Sequence, residues 1–201
     1  MELTVIKKVL PVRRGRRRPF CEAIAALLLA TVLEAQAQTA ATNEYKVKAS
    51  CLFNFAQFVE WPAAAFADAT SPIVIGILGD DAFGPFLDQL VQGEKVRNRP
   101  LTVRRARTVD EAKGCHILFI SKSEASGLAA ILASVEPSGV LTVGETEGFA
   151  RCGGVINFYL DGGRLRFEIN PGAAGRCGLK ISSQLLSLGK LVETADGKEH
   201  K

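Results

Sequence analysis

Imidazoles are scarce in this 201-residue chain: His116 and His200 are its two histidines. With so few general bases, and with no GxSxG elbow, a serine-hydrolase triad has little to be built from. No HExxH, CxxC or EF-hand-like loop supplies metal ligands. The turn after the first apolar strand, Gly76-Ile77-Leu78-Gly79-Asp80-Asp81-Ala82-Phe83-Gly84, is neither GxGxxG nor a P-loop, and its two carboxylates would repel phosphate. Asp80 or Asp81 reads as a cap for the following helix. His116 follows Cys115 inside an apolar strand, where a core histidine is the plain reading; adjacent strand residues point to opposite faces, so the two make no catalytic pair. The sequence therefore points to no catalytic residue, no metal site and no cofactor.

A long apolar run is also missing. The longest, Ala23–Leu33, is about half of the roughly 20 residues a spanning helix needs. Basic residues from Lys7 to Arg18 precede it and Ala35-Gln36-Ala37 follows it, which is the pattern of a cleaved secretory signal over residues 1–37, with Ala40 and Ala41 as alternative cut sites. Seven of the 25 Lys/Arg and three of the 21 Asp/Glu lie in that segment, leaving 18 of each. An electroneutral body has no general reason to bind nucleic acid or an anionic membrane. Residues 38–192 make one domain's worth of chain, with a polar, flexible tail over 193–201.

Cys21 departs with the leader; Cys51, Cys115, Cys152 and Cys177 remain. An even number in an exported chain favours disulfides, and wide spacing argues against zinc. The element order sets Cys152 near the start of the helix that carries Cys177, which favours that pair. Cys51 with Cys115 follows by elimination, and two free buried thiols are the alternative.

Residues 44–60 have helical periodicity, ended by Trp61-Pro62. Tyr45, Ala49, Leu52, Phe53, Ala56 and Val59 form one apolar face; Val47, Cys51, Phe55 and Phe58 form a second. A helix so apolar needs cover on two sides, and Val47, Phe55 and Phe58 are the candidate self-association surface. Strand and helix signals then alternate: strands at 73–78, 101–106, 115–121 and 139–143, with helical stretches after the first and third. This order predicts an α/β fold, a mainly parallel sheet with helices on both faces. Val155–Leu160 and Arg164–Ile169 flank Asp161-Gly162-Gly163, a C-terminal antiparallel hairpin. Asn170 and Pro171 open a final helix through Ala174, Gly178, Ile181, Leu185 and Leu188. Arg164, Arg166, Glu168 and Asn170 alternate with apolar neighbours. With Lys180 and Ser183 they form the candidate partner-binding surface, a solvated outer face being the plainer alternative.

Several blocks in order resemble the YfiR/HmsC-like periplasmic family. They are Glu44–Ala49 running into Leu52–Phe55 and Phe58–Pro62; Leu78–Asp81 with Phe83-Gly84; Arg99–Leu101; Cys115–Ser121; Gly148–Ala150; Gly153–Phe158; Arg166–Asn170; and Gly178–Ser183. The resemblance implies a dimer-forming periplasmic protein that represses an inner-membrane diguanylate cyclase by binding its periplasmic domain, and so controls cyclic-di-GMP and biofilm formation. It also implies an outer-membrane lipoprotein partner. One departure stands out: Gly76 occupies a position where many relatives carry Cys, so a redox bridge to Cys115 would have to use Cys51. A reading from another class is a periplasmic small-molecule binding module feeding a sensor kinase or transporter, with its cleft near Gly79, Asp80, Ser121 and Gly144.

Overall fold

The computed structural model describes residues 42–195. The expected leader, the lead-in to residue 41 and residues 196–201 lie outside the described residues. Helix α1 spans 42–58 and runs directly into the short strand β1 (Val59–Glu60). Beyond Pro62 and a 3₁₀ turn come β2 (Ile73–Leu78), α2 (Pro85–Val91), β3 (Lys95–Val96), β4 (Arg99–Ala106) and β5 (Ile117–Ile120). A 3₁₀ turn and α3 (Leu128–Val135) lead to β6 (Leu141–Gly144), then to the hairpin β7 (Ile156–Asp161) and β8 (Arg164–Ile169). The chain closes with α4 (Pro171–Arg176), β9 (Lys180–Ile181), α5 (Ser183–Leu188) and β10 (Lys190–Leu191).

Eight strands form one sheet in the order β10-β8-β7-β6-β5-β2-β4-β3, and β1 pairs with β9 apart from it. Strands β4, β2, β5, β6 and β7 are parallel, with β7–β8 antiparallel, so the expected α/β architecture with a C-terminal hairpin stands. Every residue of β2, β5 and β6 is buried, as a sheet covered on both faces requires. Ile73, Ile75, Ile77, Ile117, Phe119 and Val143 pack under α1 and α2. Leu78, Leu118 and Ile120 point the other way, onto α3 and Phe149.

Three departures from the sequence reading have local causes. The final helix is broken into α4 and α5, because Gly178 takes φ +69° and Leu179 N–H reaches back to the Ala174 carbonyl at 2.9 Å, a Schellman stop. A short hairpin precedes β4: Arg97 and Asn98 adopt φ 51° and 67°, the mirror-image turn that joins β3 to β4. The left-handed turn aims the Arg97 guanidinium at the Gln57 and Val59 carbonyls, both at 3.3 Å, at the end of α1. The chain also stays fastened past residue 192: Asn170 Nδ2 donates to Thr194 Oγ1 at 2.9 Å and Ala195 N–H to the Arg151 carbonyl at 3.0 Å.

Helix α1 has one buried stripe, not two faces. Phe55 is enclosed by Phe158 (5.9 Å, stacked) and Phe167 (5.5 Å, edge-on) of the hairpin, which removes it from the expected self-association surface. Phe58 is half-buried against the same core, while Val47 remains 50% exposed.

Candidate functional site

The loops that leave β5 and β6 at their carboxyl ends, the first turns of α1 and the β7–β8 hairpin enclose a cleft of about 820 Å³. Its wall is set by a buried charge cluster. Lys48 lies on the inner stripe of α1 and is only 2% exposed; Glu145, the first residue after β6, is 7% exposed. The Lys48 ammonium bonds one Glu145 oxygen and also meets Glu44 at 2.5 Å, one helical turn earlier. Tyr45 donates its hydroxyl to the other Glu145 oxygen at 2.8 Å, and its ring lies under the Lys48 ammonium at 4.4 Å. Burial, then the hydrogen bond and charge of Glu145, push the Tyr45 phenol well above its ordinary range, so it stays a donor at every physiological pH.

Asn157, Tyr159 and Glu168 present the polar side of the hairpin to this cleft, and Lys190 pairs with Glu168 at 3.1 Å. Lys122, Glu147 and Arg151 stand around it on the two loops. Phe149 holds the second loop in place. Its ring is fully buried between Gly144 and Gly154, where an added Cβ would come within 2.3 and 2.1 Å of ring carbons.

The six residues expected to bind a partner are not one surface. Arg164 and Arg166 are exposed near the hairpin turn, and Arg166 pairs with Asp161 at 3.1 Å. Because β7 runs parallel to β6, that turn lies toward the carboxyl end of the sheet. Lys180 pairs in register with Glu60, just past the far end of α1, and Ser183 follows it. Glu168 belongs to the cleft. Asn170 is structural: its Oδ1 caps α4 by accepting from Ala173 N–H at 2.9 Å, and its Nδ2 donates to the Ala150 carbonyl at 2.7 Å. It is buried and fully engaged, so it is removed from the docking surface.

The switch-point crevice between β2 and β5 is filled by the protein itself. An added Cβ at Gly79 would lie 2.3 Å from Ser123 Oγ, the same atom that accepts from Asp80 N–H at 3.0 Å. Asp81 Oδ1 accepts from Phe83 and Gly84 N–H, at 2.8 and 3.1 Å, which is the capping role read from the sequence. Of the four residues named for a ligand cleft there, Ser121 and Gly144 adjoin the observed one, through Lys122 and Glu145, whereas Gly79 and Asp80 line a separate hollow with Asp81 and Arg105.

His116 is a fastened core residue. Nδ1 accepts from Val74 N–H at 3.1 Å, so the proton sits on Nε2, 3.1 Å from the Ala65 carbonyl; the ring stacks on Phe66 at 4.4 Å. Burial holds its pKa below the ordinary 6.5. The four cysteines among the described residues are free thiols. Cys51 packs on the α1 side of the sheet, whereas Cys115 lies beside Gly76 and Leu118 on the other, so the sheet separates them. Cys177 is buried in the core and Cys152 is exposed. Burial raises the Cys51, Cys115 and Cys177 thiols, which keeps them protonated and inert.

The sequence reading missed Lys48 and Glu145. The signal was present in the helix, because Lys48 interrupts the stripe of Tyr45, Leu52, Phe55 and Val59, and a cation on an apolar stripe requires a buried partner.

The fold and its polar cleft define a doubly covered α/β domain in which no group of three or more His, Cys, Asp or Glu gathers as a metal site among the described residues. No helix among them is long and apolar enough to cross a membrane. The YfiR/HmsC-like family model matches residues 45–190, and the chain belongs to that family. The family consists of periplasmic regulators that act with a diguanylate cyclase. Among curated proteins none matches. Two solved structures are similar in part. One is a conserved domain protein from Vibrio cholerae O1 biovar eltor, at 13% identity and TM-score 0.43, covering 59% of this chain and 54% of its own. The other is an ABC domain from Streptococcus pneumonia in complex with L-Trp, at 13% identity and TM-score 0.41, covering 59% of this chain and 56% of its own. The chain thus spans about half the length of each.

Proposed function

We propose that this protein is exported to the periplasm and there represses an inner-membrane diguanylate cyclase by binding its periplasmic domain, lowering cyclic-di-GMP and restraining biofilm formation. The observation that carries the reading is the family match over residues 45–190, nearly the whole described domain. An outer-membrane lipoprotein that sequesters the regulator, and a homodimer, belong to the same proposal. The docking surface is the hairpin end, where Arg164 and Arg166 are exposed and Leu160, 56% exposed, adds an apolar contact. A charged rim around an exposed aliphatic side chain suits a protein partner.

Among the described residues Arg166 pairs with surface Asp161 alone, and breaking so exposed a pair costs the fold little. Arg166→Glu should therefore keep the melting temperature while weakening capture of the cyclase from detergent-solubilised membranes about tenfold or more. Cells carrying the variant should accumulate cyclic-di-GMP as a deletion does. Failure of the unaltered protein to retain any GGDEF-containing membrane protein in that capture would defeat the reading.

A further inference from the structure

The polar cleft beside Glu145 contains an unmet acceptor. Asn157 is 4% exposed, and its enclosed Oδ1 accepts from no described group. Buried carboxamides are otherwise satisfied almost without exception, and Asn157 faces the cleft. Its neighbours there are also acceptors. The Glu147 carboxylate has no partner among the described residues, and Glu168 uses one oxygen for Lys190. A molecule with several donors would therefore find acceptors in the cleft.

An anionic group also has counterparts there. Lys122 and Arg151 line the cleft and are paired with no carboxylate among the described residues. Lys48 does not add to them: held between Glu44 and Glu145, it braces the wall. A simple carboxylate would answer the two cations and leave Asn157 and Glu147 unmet. A neutral polyol would do the reverse. We infer that the cleft binds a small polyhydroxylated anion, a sugar acid or sugar phosphate, with its acid group on Arg151 and Lys122 and its hydroxyls on Asn157 and Glu147. Arg presents the planar fork that carboxylate and phosphate both fit. At about 820 Å³ the cleft has room for a molecule of hexose size.

The test titrates the protein, purified from expression of the full chain and labelled with ¹⁵N, with D-gluconate and D-glucose 6-phosphate, using acetate and D-sorbitol as comparisons. One of the two hydroxylated anions is expected to saturate, to shift the side-chain amide of Asn157, and to bind at least about tenfold more tightly than acetate or sorbitol. Which of them binds more tightly tells a carboxylate head from a phosphate. Asn157→Ala, and separately the exposed pair Lys122→Ala with Arg151→Ala, should each weaken binding about tenfold or more. The surface pair keeps the test decisive if Asn157→Ala disturbs the fold. No saturation by either anion in the millimolar range, equal binding of sorbitol, or unchanged affinity in the surface pair overturns the proposal. Cyclase capture is read on the same preparations without ligand, so that loss of ligand binding and loss of capture are scored separately.

Discussion

His116 shows how one ring fastens two segments and makes the fold sensitive to acid. Its Nδ1 accepts a backbone N–H, so protonation would set donor against donor. Because burial lowers the folded pKa below the unfolded 6.5, this stabilisation is complete above pH 6.5 and is lost as pH falls through the folded value. The melting temperature should drop between neutral pH and pH about 5. His116→Asn retains an acceptor for Val74 and should flatten that dependence, at a loss of about 1–2 kcal/mol at neutral pH from the bond to Ala65 and the stacking; an unaltered pH profile in the variant would count against the assignment. At Gly76 the missing side chain is equally informative. A Cβ there would lie 3.2 Å from the Cβ of Cys115 and 2.6 Å from its sulfur. Disulfide partners keep their Cβ atoms about 3.5–4.5 Å apart, so a shift of tenths of an ångström suffices. Gly76→Cys should bridge to Cys115 on oxidation and raise stability by about 2–4 kcal/mol, reversibly with reductant. Two free thiols surviving oxidant at these positions would refute it.

Among the elements, the loop from β6 to β7 depends on Phe149 fitting between two glycines. Gly154→Ala places a methyl into the ring and should cost about 1–3 kcal/mol. That cost should vanish in a Phe149→Ala background, which loses about 3–5 kcal/mol by itself, so chemical denaturation of the four proteins reads the coupling directly. The strands were legible in the sequence because a two-sided sheet writes itself as unbroken apolar runs, as in Ile73–Leu78 and Ile117–Ile120. The break between α4 and α5 was less so. Ala174, Gly178, Ile181 and Leu185 keep a helical period, yet Gly178 supplies a left-handed stop and Ile181 reaches Val59 in a strand pair instead. The cleft was the least legible part, since Lys48, Glu145 and Asn157 are about a hundred residues apart or adjacent only through the sheet, and single-chain periodicity carries no record of such meetings. The paired carboxamide and cap of Asn170 likewise depend on Ala150 and Thr194, which spacing does not reveal.

For the whole molecule, the burial of Phe55 changes what a test of self-association should use. Phe55→Ser would remove a ring from the core and unfold the protein, at about 3–5 kcal/mol if the loss resembles other large truncations. Val47, half-exposed on the same helix, is the informative position. If α1 joins two copies, Val47→Glu should give a folded monomer in sedimentation, with its melting temperature nearly unchanged; a dimer of unaltered mass would place the interface elsewhere. Helix α1 carries one more consequence, for how the molecule is made. Three of its anchors, Glu145, Phe158 and Phe167, are synthesised about a hundred residues after it, so its docking is completed only once most of the polypeptide exists. Such distant closure is slow and leaves greasy surface open in the interim. A helix made before these anchors is finished only after them, and a chaperone that shields it in transit should raise the yield of folded protein.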